Sequence, residues 1–135
     1  MLDAFLLFEV TYFSFSAKAK HDITKLPKLY CIDNGFINIV NMKYSKNRGQ
    51  MFENTVFIKL LETYKEISYW SELNTEIDFI VDNRAINVTA TDIIPPRESK
   101  GLEEFSKKFP RFSKKIICPT LETEDTVGIL NFLKE

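Results

Sequence analysis

From Gly49 onward the spacing of apolar and polar positions is regular enough to assign elements. In "GQMFENTVFIKLLETYKE" the apolar side chains fall at Phe52, Val56, Phe57, Leu60, Leu61 and Tyr64. Intervals of three and four predict an amphipathic helix of about four turns. The period then drops to two. "ISYWSE" is a strand, "LNT" a turn, "EIDFIVD" a second strand, "NR" a tight connection and "AINVTAT" a third strand. Pro95 and Pro96 cannot sit inside a regular ladder, so "IIPPRE" breaks the chain. Ser99 is positioned to cap a helix, "KGLEEFSKKF", stopped by Pro110. "KKIICP" is a fourth strand. After the acidic "ETED" a closing helix, "TVGILNFLKE", is expected. The predicted order is helix, three-strand meander, helix, strand, helix, an α/β arrangement. The crossover through the Ser99 helix makes the fourth strand parallel to one of the first three.

The first third is less regular. Leu2 to Leu7 reads as the end of a helix. Phe8, Val10 and Tyr12 then alternate with Glu9 and Thr11, which is strand spacing. "SAKAKHDITKLPK" is a polar, basic loop; "LYCID" is a short strand closed at the turn "DNG". Phe36 to Lys46 is a short helix followed by a loop. A helix plus a two-stranded ribbon is the tail of a domain, so the chain divides into residues 1–48 and 49–135.

A length of 135 residues is that of one ordinary domain, and 12 Phe with 5 Tyr supply material for a core. Eighteen basic against 19 acidic side chains leave a net charge of −1, which argues against a free-standing nucleic-acid binder but not against a local basic face. No apolar run is long enough to span a bilayer. "MLDAFLLFEV" carries Asp3 and Glu9 and lacks the basic lead and cleavage site of a signal peptide. Cys31 and Cys118 both lie in apolar, strand-like stretches and are expected as buried free thiols, as suits a reducing cytoplasm.

The candidate chemistry lies where acids meet apolar faces. Glu53 shares a helix face with Phe57 and Leu60, beside the buried stripe. Asp78 alternates with Ile77 and Phe79, on one face with Glu76, Ile80 and Asp82. On the next strand Asn87 and Thr89 share a face opposite Ile86, Val88 and Ala90. If the two polar faces meet, Glu53, Asp78, Asn87 and Thr89 converge. Structural readings stand beside this one. Glu53 reaches water at the helix start, where the dipole favours an acid. Asp78 pairs with a lysine or accepts backbone hydrogen bonds.

"PKLYCIDNGF", "GQMFENTVFIKLL", "YW" followed by "EIDFIV", and "INVTA" together resemble the C-terminal region of prokaryotic P-loop ATPases of the AAA+ type, known as the DUF4143 domain. The similarity spans nearly the whole chain and is strongest from Gly49 to Val88. The resemblance implies a restriction-endonuclease-like, PD-(D/E)XK core preceded by a winged helix, of which Leu6 to Tyr30 would be the last helix and wing. No glycine-rich phosphate loop of the form G-x-x-x-x-G-K-[ST] occurs, so the chain corresponds to the tail of such a protein, cut from it or encoded alone.

In active nucleases of that fold, the resemblance implies, an acid on the first helix and one on the second strand combine with Glu-x-Lys on the third. Two carboxylates hold Mg²⁺, and the metal and lysine activate a water. Glu53 and Asp78 match the two acids. Asn87-Val88-Thr89 stands where Glu-x-Lys is expected, so both changes remove charge. The nuclease site is therefore expected to be degenerate, with weak Mg²⁺ binding at Glu53 and Asp78 or a structural polar cluster in its place.

The expected function is that of an accessory domain of an ATPase, nuclease-like in fold and not an enzyme by itself, contacting DNA or a partner protein. Lys18, Lys20, Lys25 and Lys28, on the ribbon and its loop, are the candidate phosphate contacts. A second basic group, Lys107, Lys108, Arg111, Lys114 and Lys115, surrounds the fourth strand. The alternatives are a working Mg²⁺-dependent DNA nuclease and a module that docks on the ATPase part or forms homo-oligomers. No cofactor other than Mg²⁺ at the vestigial site, and no membrane, is implied. His21 has no metal-ligand partners at suitable spacing, and Trp70 is assigned to the core.

Overall fold

A computed structural model describes residues 6–15, 25–40 and 48–135. The expected N-terminal helix falls largely outside these residues, and Leu7, assigned to its end, instead begins a strand. The order is β1 (Leu7–Tyr12), β2 (Lys28–Cys31), α1 (Asn34–Val40), α2 (Arg48–Thr63), β3 (Ser68–Glu72), β4 (Thr75–Val81), β5 (Arg84–Val88), α3 (Pro96–Lys108), β6 (Ser113–Cys118), β7 (Thr126–Gly128) and α4 (Ile129–Phe132).

The strands form one seven-stranded mixed sheet in the order β2-β1-β3-β4-β5-β6-β7. The β3–β4–β5 meander is antiparallel, and β6 lies parallel to β5, with Asn87 opposite Ile116 and Val88 opposite Ile117. The ribbon β1–β2 joins the same sheet, because β1 pairs in parallel with β3 at Thr11↔Ser68 and Tyr12↔Tyr69. Residues on both sides of the boundary expected at 48/49 thus share one hydrogen-bonded sheet.

Two apolar layers cover the sheet. On one face Val56, Phe57 and Leu60 of α2 pack on Val10, Tyr30, Tyr69, Phe79, Val81, Ile86 and Ile117. On the other, Leu102 and Phe105 of α3 pack on Trp70, Ile77, Ile80, Ala85 and Ile116. Helix α3 begins at Pro96, with extended Pro95 before it; Ser99 lies inside the first turn and does not cap it. Proline at the first helical position loses no needed N–H. The chain's end differs more from expectation. Thr126–Gly128 adds a strand parallel to β6, and the helix is a single turn. The Glu122 carboxylate accepts from the Gly128 N–H and from Asn131 Nδ2, pinning that junction.

The pleat of β4 is broken once. Ser68 pairs with Ile80 and Trp70 with Ile77, so Tyr69 faces the two residues Asp78 and Phe79. This is a β-bulge. Strict alternation places Ile77 with Phe79 and Asp78 with Ile80. Instead Phe79 joins the α2 layer, while Ile77 and Ile80 both join the α3 layer. The extra residue turns Asp78 and Phe79 toward the same side.

Both cysteines are free: Cys118 is buried, and Cys31 is half-buried on β2. Among the described residues no helix is long and apolar enough to cross a membrane.

Candidate functional site

The Asn54 side chain ties helix α2 to the backbone of the edge strand β2. Asn54 accepts from the Cys31 N–H (2.9 Å) and donates to the Cys31 carbonyl (3.0 Å) and to Asn34 Oδ1 (3.0 Å). The amide does for β2 what a neighbouring strand would do, satisfying backbone groups that face away from β1. Phe57 adds a parallel stack on Tyr30, centroids 4.6 Å apart. These contacts fix Glu53, the residue before Asn54, above β2 and β4.

Lysine 28 lies at the centre of the resulting cluster. Its ammonium is 3.2 Å from Asp78 Oδ1, 3.6 Å from Glu53 Oε1 and 2.5 Å from Glu76 Oε1. Tyr30, two residues along the same strand and therefore on the same face, donates its hydroxyl to Glu53 Oε1 at 2.5 Å. The second oxygen of Asp78 accepts from the Val88 N–H at 2.9 Å. Hence Asp78 both pairs with a lysine and accepts a backbone hydrogen bond, the two structural readings open to it. The cation of the cluster comes from β2. Lys28, expected among phosphate contacts, has its charge committed to three carboxylates of its own chain.

The other expected residues distribute as follows. Glu53, Asp78 and Thr89 line one cleft of about 630 Å³, together with Glu76, Val88, Arg97 and Glu98. Asn87 is buried beneath it and faces α3. Its Oδ1 accepts from the Asp78 N–H (3.1 Å), and its Nδ2 donates to Glu76 O (3.3 Å), Glu98 O (3.2 Å) and Glu98 Oε2 (2.9 Å). Asn87 therefore braces β4 against the start of α3. The Thr89 hydroxyl is shared with Thr91 at 3.4 Å. Lys25 donates to the Ser71 carbonyl at 3.0 Å, and Lys18 and Lys20 lie outside the described residues.

Two members of the site, Tyr30 and Glu98, were not among the expected residues, and Lys28 was expected in a different role, as a phosphate contact. Lys28 and Tyr30 carried a signal: the alternation in "KLYC" puts both on one face of a strand. Glu98 carried none, because its place depends on how α3 crosses the sheet.

The electrostatics follow from three acids around one cation. Burial opposes the charge on Lys28, but Asp78, Glu53 and Glu76 outweigh it and hold its pKa above the ordinary lysine value. Burial pushes the Asp78 carboxyl up to about 7; the charge of Glu53 adds to the rise, and Lys28 and the Val88 N–H oppose it. Burial, and then Glu53, push the Tyr30 phenol upward, so it remains a donor. The donor set does not fit a Mg²⁺ ion as it stands. An ammonium occupies the space between the carboxylates, and among the described residues no three His, Cys, Asp or Glu side chains are grouped to hold a metal.

Comparison with known proteins agrees with the motif reading at the level of family. An uncharacterized protein of Methanocaldococcus jannaschii, MJ1544, is 27% identical over 111 residues, which cover 78% of this chain and 24% of that protein. The chain therefore spans about a quarter of the relative it matches. No solved structure matches the chain. The model of a domain of unknown function, DUF4143, matches residues 48–133, from the first residue of α2 to just beyond α4, and the chain belongs to that family.

Proposed function

We propose that this chain is the C-terminal accessory domain of a larger P-loop ATPase, with a restriction-endonuclease-like core that has lost its chemistry, and that it serves to contact nucleic acid or a partner protein. The observation that carries the reading is the position of the Lys28 ammonium, 3.2 Å from Asp78 and 3.6 Å from Glu53. A Mg²⁺-dependent nuclease needs those carboxylates free to bind the metal. Here a lysine from the β1–β2 ribbon neutralises them. The amide that replaces the third-strand acid is consumed in bracing β4 to α3. Two further points support the reading. The family match covers most of the chain, and the archaeal relative is about four times the length matched. The family name itself assigns no activity.

Incubating supercoiled plasmid with the protein and Mg²⁺ or Mn²⁺ tests the silent site. The plasmid is expected to stay intact. Nicking that disappears in Asp78→Ala would overturn the reading in favour of a working nuclease with Lys28 as its cation.

A further inference from the structure

We infer that the domain carries a docking surface for single-stranded nucleic acid at the turn between α3 and β6, built from Phe15, Lys107 and Arg111 and separate from the acidic cleft. The inference rests on the reading of the domain as a contact module and names both the surface and the partner.

The cleft is a poor place for a phosphate. It and its rim hold Glu53, Glu76, Asp78 and Glu98 against Lys28 and Arg97, an excess of anions. Glu98 stands in the first turn of α3, and the basic turn lies beyond its last, about 15 Å away along the helix axis at about 1.5 Å per residue. The stretch "KKFPRFSKK", Lys107 to Lys115, interleaves five cations with Phe109 and Phe112.

Three of the cations have partners: Lys108 pairs with Glu72, Lys114 lies 3.8 Å from Asp125, and Lys115 donates to the Glu124 carbonyl. Lys107 and Arg111 are exposed and make no side-chain hydrogen bond or ion pair among the described residues. A helix dipole accounts for lysines in the last turn of α3. It accounts neither for Arg111 beyond that turn nor for the aromatic group beside it. Phe13 of the segment after β1 is ringed by Phe105, Phe109 and Phe112 at 5.6–6.2 Å. Phe15 continues this group outward, 5.2 Å from Phe13 and 5.7 Å from Phe109, yet remains 77% exposed.

An exposed ring seated against Phe13 and Phe109, with uncommitted cations two residues to either side of Phe109 in sequence, matches what a single strand requires: one unstacked base for the ring and phosphates for the charges. A duplex keeps its bases stacked and uses only the charges. An acidic protein also uses only the charges.

The test is fluorescence anisotropy of a labelled single-stranded oligothymidylate, and of its duplex with oligoadenylate, in EDTA. Single strand is expected to bind more tightly than duplex. The logarithm of affinity against the logarithm of salt should slope at about −1.4, for two phosphates at about −0.7 each. Lys107→Glu combined with Arg111→Glu should lower affinity for both probes by about tenfold or more and flatten the slope. Phe15→Ala should remove the preference for single strand. All these residues are exposed, and unchanged emission of the buried Trp70 certifies the fold. Binding of wild type that is untouched by either variant overturns the surface while leaving the contact reading in place. Absence of binding to both probes overturns the inference and the nucleic-acid half of that reading. Capture of polyglutamate as tightly as oligothymidylate, insensitive to Phe15→Ala, overturns it in favour of an acidic protein partner. Each of these results is independent of the plasmid assay.

Discussion

Replacing Lys28 with methionine keeps the aliphatic stem and removes the ammonium from among three carboxylates. At the observed 3.2 Å, one ionised partner such as Asp78 attracts the ammonium by about 5 kcal/mol for an effective dielectric constant of about 20. Removing the ammonium also removes its own desolvation cost, so the net loss is smaller. Deleting one member of a buried pair generally costs about 3–5 kcal/mol. Here Glu76 is half exposed and Glu53 about a quarter exposed, and both recover hydration. Asp78, with 13% of its side chain exposed, does not. The expected loss therefore falls at or just below the bottom of that range, about 2–3 kcal/mol near pH 8, or about 10 °C in Tm for a domain of this size.

The pH dependence makes the prediction specific. The pKa of Lys28 lies above the ordinary lysine value, so in wild type its contribution is present throughout the neutral range and is lost only in strongly alkaline solution. The folded Asp78 pKa, about 7, lies above its ordinary value of 3.8; the native state then binds more protons than the unfolded chain between those values, and this group's contribution falls as pH rises through them. Without Lys28 the Asp78 pKa climbs further. The variant should therefore lose most near pH 8 and about 1 kcal/mol or less near pH 5, where Asp78 carries a proton. Urea denaturation followed by Trp70 emission, at both pH values, measures the difference. A loss below about 0.5 kcal/mol near pH 8, or the same loss at both pH values, would refute the argument that the lysine neutralises a buried acid.

The remaining predictions concern the elements that hold the cluster. Asp78→Asn should gain stability relative to wild type as pH rises from about 5 to about 8, because only wild type then ionises a buried carboxyl; parallel Tm curves for the two proteins would contradict this. Asn54→Ala removes three hydrogen bonds and leaves the Cys31 backbone groups without partners, for an expected loss of about 2–3 kcal/mol in denaturant titration. Leu73→Gly at the β3–β4 hairpin should raise stability by about 0.5–1 kcal/mol, since Leu73 is wholly exposed and sits at φ 50°, where a Cβ is strained; calorimetry showing a loss would mean that its side chain contributes a contact.

The residues expected to carry chemistry were legible to different degrees. Periodicity located α2, β3, β4 and β5 and the crossover through α3, because each exposes one face to water and buries the other, and that contrast is written into the order of side chains. It also marked Glu53 and Asp78 as acids beside apolar faces. β7 was not legible, since a three-residue strand on a sheet edge has too short a pattern to separate from the helix turn that follows. The shared face of Asp78 and Ile80 was misread because a bulge is an extra residue in one strand opposite its partner, and no single strand shows its own register.

The sequence alone determined the family, the α/β class and the neutral character of Asn87 and Thr89 beside the acids Glu53 and Asp78, since these depend only on which residues stand at which spacing. Only the tertiary structure decided that Lys28 supplies the cation between those two acids. Lys28 lies 25 residues before Glu53 and 50 before Asp78, and it reaches both because β1 pairs with β3, bringing the ribbon alongside the core strands, and Asn54 ties β2 to α2. Charge pairing over such separations is set by strand order, and strand order is fixed by the burial of both faces of the whole sheet at once.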